Sequence, residues 1–307
     1  MAAPADAHFI LIDWGTTNLR AWLVDQSGHR VDSEQSESGL RSIVDRDFEA
    51  PLSKLVSDWV DQYSISAIVM AGMVGARTGW HEAPYVPCPT EFTLLNKHCM
   101  RFQYQGIATF IMPGVAKASD SAACDVMRGE ETQAWGVDHL TGARSLTAIM
   151  PGTHSKWVRV EDRAILDFTT VMTGELFAVL AKHSLLGQLR EPALDGIQDD
   201  AFLKGIARGA VTPLQEILFS TRADVLLGEM LPTAIDDYLS GLLIGAECAH
   251  RLNNTEMRDN KLVLIADDTI ADRYGLALKN LNRDFTTVSA TDASISGLYA
   301  AALSLTE

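Results

Sequence analysis

Asp13-Trp-Gly-Thr-Thr17 and Pro151-Gly-Thr-His-Ser-Lys156 each set a glycine beside a threonine at the end of an apolar run. A glycine at a strand turn lets backbone amides come close to an oxyanion, and the hydroxyls of Thr16 and Thr17 can donate to phosphate oxygens. Asp13, closing its run, offers a hard carboxylate oxygen that could hold Mg²⁺ directly or through water. Alone, the first segment reads equally well as an Asp-Gly hairpin whose threonines serve β propensity. The second turn, at Gly152 and Thr153, decides the matter, because two opposed Gly-Thr turns make a phosphate clamp.

The elements around the two turns repeat. His8 to Asp13 is a short apolar strand, Leu19 to Asp25 a second, and Gln26-Ser-Gly-His29 a hairpin leading to a third strand over Arg30 to Ser36. Asp47 to Gln62 has helical apolar spacing, and Ile65 to Met70 reads as a buried strand. The same opening recurs at Leu146 to Met150, Lys156 to Val160 and Ala164 to Phe168, with a turn at Glu161 to Arg163. Aligning Gly15-Thr16 with Gly152-Thr153 sets Leu19, Ala21 and Leu23 against Lys156, Val158 and Val160. Helices follow, the clearest over Thr233 to Leu252, with Pro232 suited to its first turn. Leu262 to Ala266 and Phe285 to Ser289 read as strands, and Ala271 to Leu281 and Ala293 to Leu303 as helices. The pattern predicts an α/β protein of two domains, each opening with a three-stranded meander and facing the other across a cleft. The boundary falls near residues 135 to 145, giving residues 1–138 and 139–307.

Composition narrows the partners. A chain of 307 residues that is 47% hydrophobic is long enough for two cores. A formal net charge of −15 leaves no basic stripe for nucleic acid or an anionic membrane, so an anionic small molecule would need a local cationic pocket. Cys88, Cys99, Cys124 and Cys248 lack zinc or disulfide spacing and read as buried free thiols, which fits a reducing cytoplasm. The opening residues lack the basic region of a signal peptide, and no stretch reaches about 18 apolar residues. His81, His98 and His154 show no metal-ligand spacing.

Asp13-Trp-Gly-Thr-Thr-Asn-Leu-Arg20 resembles the first phosphate loop of the sugar kinase, Hsp70 and actin superfamily, with its RNase H-like domains, and Pro151 to Trp157 resembles the second. Four further blocks look specifically like the 2-dehydro-3-deoxygalactonokinase family. They are Ala71-Gly-Met-Val-Gly75 with Gly79-Trp80 and Ala83-Pro-Tyr85, Val126-Met-Arg-Gly-Glu-Glu-Thr-Gln133, Val171-Met-Thr-Gly-Glu-Leu176, and Leu239-Ser-Gly-Leu-Leu-Ile-Gly-Ala-Glu247. The resemblance covers nearly the whole chain. It departs from the superfamily after Leu262 to Ala266, where Asp267-Asp268-Thr269 stands in place of the glycine pair of the adenosine motif. Those aspartates could bond ribose hydroxyls or cap the next helix.

The resemblance implies ATP and Mg²⁺ as cofactors and a keto-deoxy sugar acid as the small-molecule partner, with a homodimer as a further expectation. Phosphoryl transfer needs charge neutralisation, in-line positioning and a carboxylate to take the hydroxyl proton. By resemblance to the Gly-Asp segment of carbohydrate kinases, Glu130 is the expected general base and Glu131 the alternative, while both could simply favour a helix first turn. Arg20, Gly152, Thr153, His154 and Asp267 join Gly15, Thr16 and Thr17 as nucleotide or phosphate contacts. Lys156 could serve the transferred group or the substrate carboxylate, or be a plain strand-edge lysine. Arg77 and Arg128 are candidate cations for the sugar acid, with Trp80 and Tyr85 as a wall. The first domain would carry the sugar-acid site and the second the adenosine site. Competing readings are a kinase for the gluconate-derived epimer, a nucleotide-sensing regulator, and a phosphate-ester hydrolase on the same fold.

Overall fold

The apolar run ahead of Asp13 is apolar on both faces because both are covered: Phe9, Ile10, Leu11 and Ile12 are all buried in β1 (Ala7–Trp14). The computed structural model describes residues 7–118, 123–192, 199–253 and 260–306. The chain forms two units: Met1–Arg144 with Val158–Phe168 and Ser289–Glu307, and Ser145–Trp157 with Thr169–Val288.

In the first unit β1 is followed by β2 (Leu19–Asp25), β3 (Arg30–Ser36), α1 (Glu49–Gln62) and β4 (Ser64–Gly72). Next come β5 (Tyr85–Pro87), β6 (Thr90–Glu91), α2 (Phe92–Lys97), β7 (Met100–Tyr104), β8 (Ile107–Ile111), β9 (Gly114–Lys117), β10 (Asp125–Met127) and α3 (Glu130–Thr141). A six-stranded sheet runs β3-β2-β1-β4-β8-β7, and a small one runs β10-β9-β5. The meander β1-β2-β3 is antiparallel, with Asp13 opposite Arg20, whereas β4 lies parallel to β1 with Gly72 opposite Trp14. The outer strand β3 carries Asp32 and Glu34 and is exposed along its length, as an edge guarded against further pairing should be. Leu52, Val56 and Trp59 of α1 bury one helical face in a core with Trp14 and Phe48.

The remaining elements are β11 (Ser145–Met150), β12 (Ser155–Glu161), β13 (Ala164–Val171), α4 (Thr173–His183), α5 (Asp199–Val211), α6 (Leu214–Ile217), α7 (Ser220–Leu226), α8 (Ile235–Leu252), β14 (Lys261–Ile265), α9 (Asp268–Asn280), β15 (Phe285–Val288) and α10 (Ala290–Thr306). In the second unit β14 pairs parallel with both β11 and β15, and the sheet continues into the opening of β12. The rest of β12, β13 as far as Phe168, and β6 belong to the first unit, so the second meander β11-β12-β13 is present as a strand order. Trp157, Ile206, Ile244, Leu262, Leu264 and Tyr274 are central to the core of the second unit.

In the first unit α10 lies on α3 with glycines at the crossing. A Cβ on Gly136 would stand 1.8 Å from the Ala293 carbonyl oxygen, and one on Gly297 would stand 1.9 Å from that of Thr132. The two backbones therefore touch directly.

Several boundaries differ from expectation, among them those of α10, which runs Ala290–Thr306 and not Ala293 to Leu303. The Pro232–Ala234 segment is a 3₁₀ turn, and the α-helix proper starts at Ile235. α9 starts at Asp268, not Ala271, because the extended Asp267 (φ −112°, ψ 151°) ends the preceding segment. The cysteines are all free, but only Cys99 and Cys248 are buried; Cys88 is half-buried and Cys124 exposed, which corrects the expectation of four buried thiols. Among the described residues no helix is long and apolar enough to cross a membrane.

Candidate active site

The first Gly-Thr turn is held by its carbonyls. Gly15 O accepts from the Leu40 amide at 3.0 Å, Thr16 O from Arg41 at 3.1 Å and Thr17 O from Gly39 at 2.9 Å. With the acceptors thus turned into the fold, neither the amides nor the hydroxyls of Thr16 and Thr17 take a hydrogen-bond partner among the described residues. A Cβ on Gly15 would meet only the Asn18 carbonyl, at 3.6 Å, so the fold leaves the space beside it open. Arg20, on the facing strand, stands 3.9 Å from the Asp13 carboxylate and is partly exposed.

Asp13, one residue before the end of β1, lies beside Gly72, which in turn adjoins Gly129; both glycines have positive φ. A Cβ on Gly72 (φ +93°) would meet the Trp14 carbonyl oxygen at 2.7 Å and Asp13 Oδ1 at 3.4 Å, and one on Gly129 (φ +107°) would meet Gly72 Cα at 3.4 Å. Both positions thus need glycine for conformation, and their lack of side chains brings the end of β1 close to the start of α3. Burial raises the Asp13 pKa above the usual carboxylate range, Arg20 opposes the shift, and the charge of Glu130 adds to it.

The neighbouring glutamates of α3 have different surroundings. Glu130 is half-buried, and its Oε2 accepts the Arg128 amide at 3.0 Å. Glu131 is fully buried; both its oxygens accept from the Gly129 amide, at 2.9 and 2.7 Å, and Thr132 Oγ1 donates at 3.2 Å. Burial first, then the charge of Glu130, pushes the Glu131 carboxyl up to about 8 from an ordinary 4.5, against the Gly129 hydrogen bonds and Arg128. A raised carboxyl pKa favours the protonated fold, so this stability is present below about pH 4.5 and is lost as pH rises through about 8. Glu131→Gln, which cannot ionise, should flatten the fall of Tm across that window, where wild type loses at most about 1.4 kcal/mol per pH unit from this group. Thermal melts from pH 5 to 8 test it: a wild-type slope equal to that of the variant would remove the buried proton.

Arg128 lies between β10 and α3. Its guanidinium sits 4.4 Å from the centre of the Tyr85 ring, and its Nη2 donates to the Ala83 carbonyl at 2.8 Å. Its Nε and Nη1 have no hydrogen-bond partner among the described residues. Tyr85, in β5, is 45% exposed. Trp80 is packed in an aromatic cluster: it stacks on Phe48 at 6.1 Å and 8° and meets Phe102 and Trp14 edge-on. Arg77 is exposed.

In the second unit the loop ahead of β12 packs on the start of α4. Thr153 O accepts the Glu175 amide at 2.9 Å, His154 Nε2 meets Glu175 Oε2 at 2.5 Å, and a Cβ on Gly174 would reach the Gly152 carbonyl at 2.5 Å. As in the first loop, the glycine itself is unencumbered, with only the His154 carbonyl 3.9 Å from a Cβ on Gly152. Lys156 is buried, with 5% of its surface exposed. Gly152, Thr173 and Gly174 line a cavity of about 360 Å³ together with Phe177, Ile270 and Tyr274. At its polar side Arg273 Nη2 donates to Asp237 Oδ1 at 2.5 Å. Asp267 takes the N-cap position of α9 without a side-chain bond to the first amides of the helix.

Several parts of this arrangement had no prior reading from sequence: the β10-β9-β5 sheet under Tyr85 and Arg128, the positive-φ glycines, and a buried Glu247 behind the second loop. A signal existed for Glu247. It is an acid within the apolar face of α8, where a charge must be paired to be tolerated.

Two such units, a meander opening the first and a Gly-Thr loop in each, define a protein of the sugar kinase, Hsp70 and actin fold class. At 14% identity, the activator of 2-hydroxyisocaproyl-CoA dehydratase from Clostridium difficile, solved with ADPNP, shares that fold with a TM-score of 0.51 over 97% of this chain and 95% of its own. The chain belongs to the 2-keto-3-deoxy-galactonokinase family, whose profile it matches over residues 13–301. It is similar to the 2-dehydro-3-deoxygalactonokinase of Escherichia coli (strain K12), with 38% identity over 297 residues, 95% of this chain and 96% of that one. A crystal structure from Sinorhizobium meliloti, provisionally assigned as the same enzyme, is 33% identical with a TM-score of 0.87, covering 96% of this chain and 98% of its own.

Proposed function

We propose that the chain uses ATP to phosphorylate 2-dehydro-3-deoxy-D-galactonate at its terminal hydroxyl, giving the 6-phosphate. One observation carries the reading beyond the family. The Gly-Thr loop of each unit has carbonyls tied back into the fold beside a glycine whose surroundings are open, which is what a backbone approach to phosphate oxygens requires.

Each unit has its part. The second holds the nucleotide, with phosphates on Gly152, Thr153 and His154 and the adenosine in the adjoining cavity, whose apolar Phe177 and Ile270 suit a heterocycle. Asp267, at the mouth of α9, is assigned to the ribose, and Lys156 to the transferred group. The first unit holds the acceptor. Arg128, stacked on Tyr85 with two donors unpaired, suits the substrate carboxylate, with Arg77 and Trp80 completing the sugar-acid site. Thr16, Thr17 and Arg20 are the proposed phosphate contacts of the first unit. Glu130 takes the hydroxyl proton, which its half-exposed position allows and the sealed position of Glu131 does not.

Mg²⁺ carried by nucleotide phosphates needs only one or two protein carboxylates, so the hard oxygen of Asp13 is a fitting donor even though no cluster of three metal-ligating side chains occurs among the described residues. There the ion would neutralise phosphate charge. The four free cysteines suit the cytoplasmic location proposed with this role.

An ADP-release assay with the galactonate-derived acid, the gluconate-derived epimer and no acceptor tests the whole. Release should depend on the first acid and yield a phosphomonoester visible by ³¹P NMR. ADP formed at the same rate without acceptor would point to a hydrolase, and none with any acceptor to a regulator.

A further inference from the structure

Behind the second loop a single carboxylate collects donors from three directions. Glu247, 4% exposed in α8, accepts Trp157 Nε1–H through Oε1 at 2.7 Å. Its Oε2 accepts the Tyr274 hydroxyl at 2.7 Å and a short bond from Thr173 Oγ1. The Tyr274 oxygen is also 2.8 Å from Ser155 Oγ, so Ser155 can donate to Tyr274 while Tyr274 donates to Glu247. Every partner supplies a proton, which suits an ionised, acceptor-only carboxylate. Burial raises the Glu247 pKa, and the bonds from Thr173, Tyr274 and Trp157 oppose the rise.

The tethered groups are those that bound the loop. Ser155 directly follows His154, and Trp157 anchors the same strand. Thr173 precedes Gly174 and Glu175, the two residues on which Gly152 and Thr153 rest. Thr173 and Tyr274 also form part of the cavity wall. One side chain thus holds the strand after the loop, the helix start beneath it and the wall beside it in fixed relation. A carboxylate buried only to fasten the core would be expensive, since an apolar residue of similar volume does that job as well or better.

We infer that Glu247 is a positioning residue that sets the second Gly-Thr loop against the wall of the adjoining cavity and so governs nucleotide affinity, a role that rests on the nucleotide reading of that unit. Gln at 247 keeps the shape and the bond from Trp157 but presents an amide donor to two hydroxyls that now donate. Phe at 157 keeps the aromatic body and removes one donor from Glu247 without touching the cavity lining.

The test is calorimetric ATP binding, with KM values for ATP and for the sugar acid, on wild type, Glu247→Gln, Trp157→Phe and the double variant. Each single change should raise the ATP Kd about tenfold, the worth of one charge-assisted bond, while the sugar-acid KM stays within about twofold. The double variant should fall short of the product of the two, because both act through one carboxylate. If Glu247→Gln does not fold, the Trp157→Phe result decides alone. Folded variants with a lowered Tm but wild-type ATP affinity would overturn the inference and leave Glu247 as a core fastening. A wild-type chain that binds no ATP would instead overturn the nucleotide reading, and the inference with it.

Discussion

Glu130→Gln is expected to slow the chemical step by roughly 10² to 10⁴ while leaving ATP and sugar-acid binding nearly intact, the usual signature of a lost general base. The change is mild for the fold. Glu130 accepts the Arg128 amide, and the carbonyl oxygen of glutamine can do the same. What disappears is the capacity to take a proton. Glu131→Gln should change turnover much less, because adjacent residues on a helix point about 100° apart and Glu131 is sealed against the Gly129 amide. Calorimetric binding with single-turnover phosphorylation of both folded variants separates the two. A slow Glu131→Gln beside a normal Glu130→Gln would exchange their roles, and two normal enzymes would place the base elsewhere.

Asp13→Asn is expected to lower kcat by roughly 10² or more with a far smaller change in the sugar-acid KM, as befits a charge that matters most in the transition state. The substitution keeps size and leaves the strand pairing with Arg20 untouched. Its ion pair with Arg20, at 3.9 Å and partly exposed, is too loose for its loss to threaten folding. A reduced rate therefore reports on phosphoryl positioning and not on stability. Steady-state kinetics on folded protein decide it, since normal turnover would remove Asp13 from the site.

The parts legible in the sequence were those set by periodicity and turn chemistry. β1 to β4, the strands around the second loop, and α8 lie where apolar spacing and Gly or Pro punctuation put them, within a few residues. Strands such as β5, β6 and β10, two or three residues long, are too short for an alternating pattern to register, so the small sheet that carries Tyr85 went unread. Candidate site residues on the loops were readable because glycine beside threonine and aspartate is a local signal. The Glu247 cluster was not, since its hydrogen-bonded pairs lie 27 to 119 residues apart in sequence and meet only through packing, and nothing local to Trp157 or Thr173 tells of the partner. Glu130 and Glu131 look alike in sequence; a 100° turn of helix, invisible there, gives one a half-open position and the other a sealed one.

The crossing of α3 and α10 has a mechanical side. α10 begins after Ser289, the one residue that separates it from the end of β15, and it lies on the helix that opens with Glu130. Most helix pairs meet through layers of side chains, whose rotamers can yield and absorb a displacement. Here Gly136 and Gly297 bring main chain against main chain, so that cushion is missing. The pair behaves as one stiff body within the first unit: a displacement of α10 carries α3, and its first carboxylate, along with little slack lost on the way.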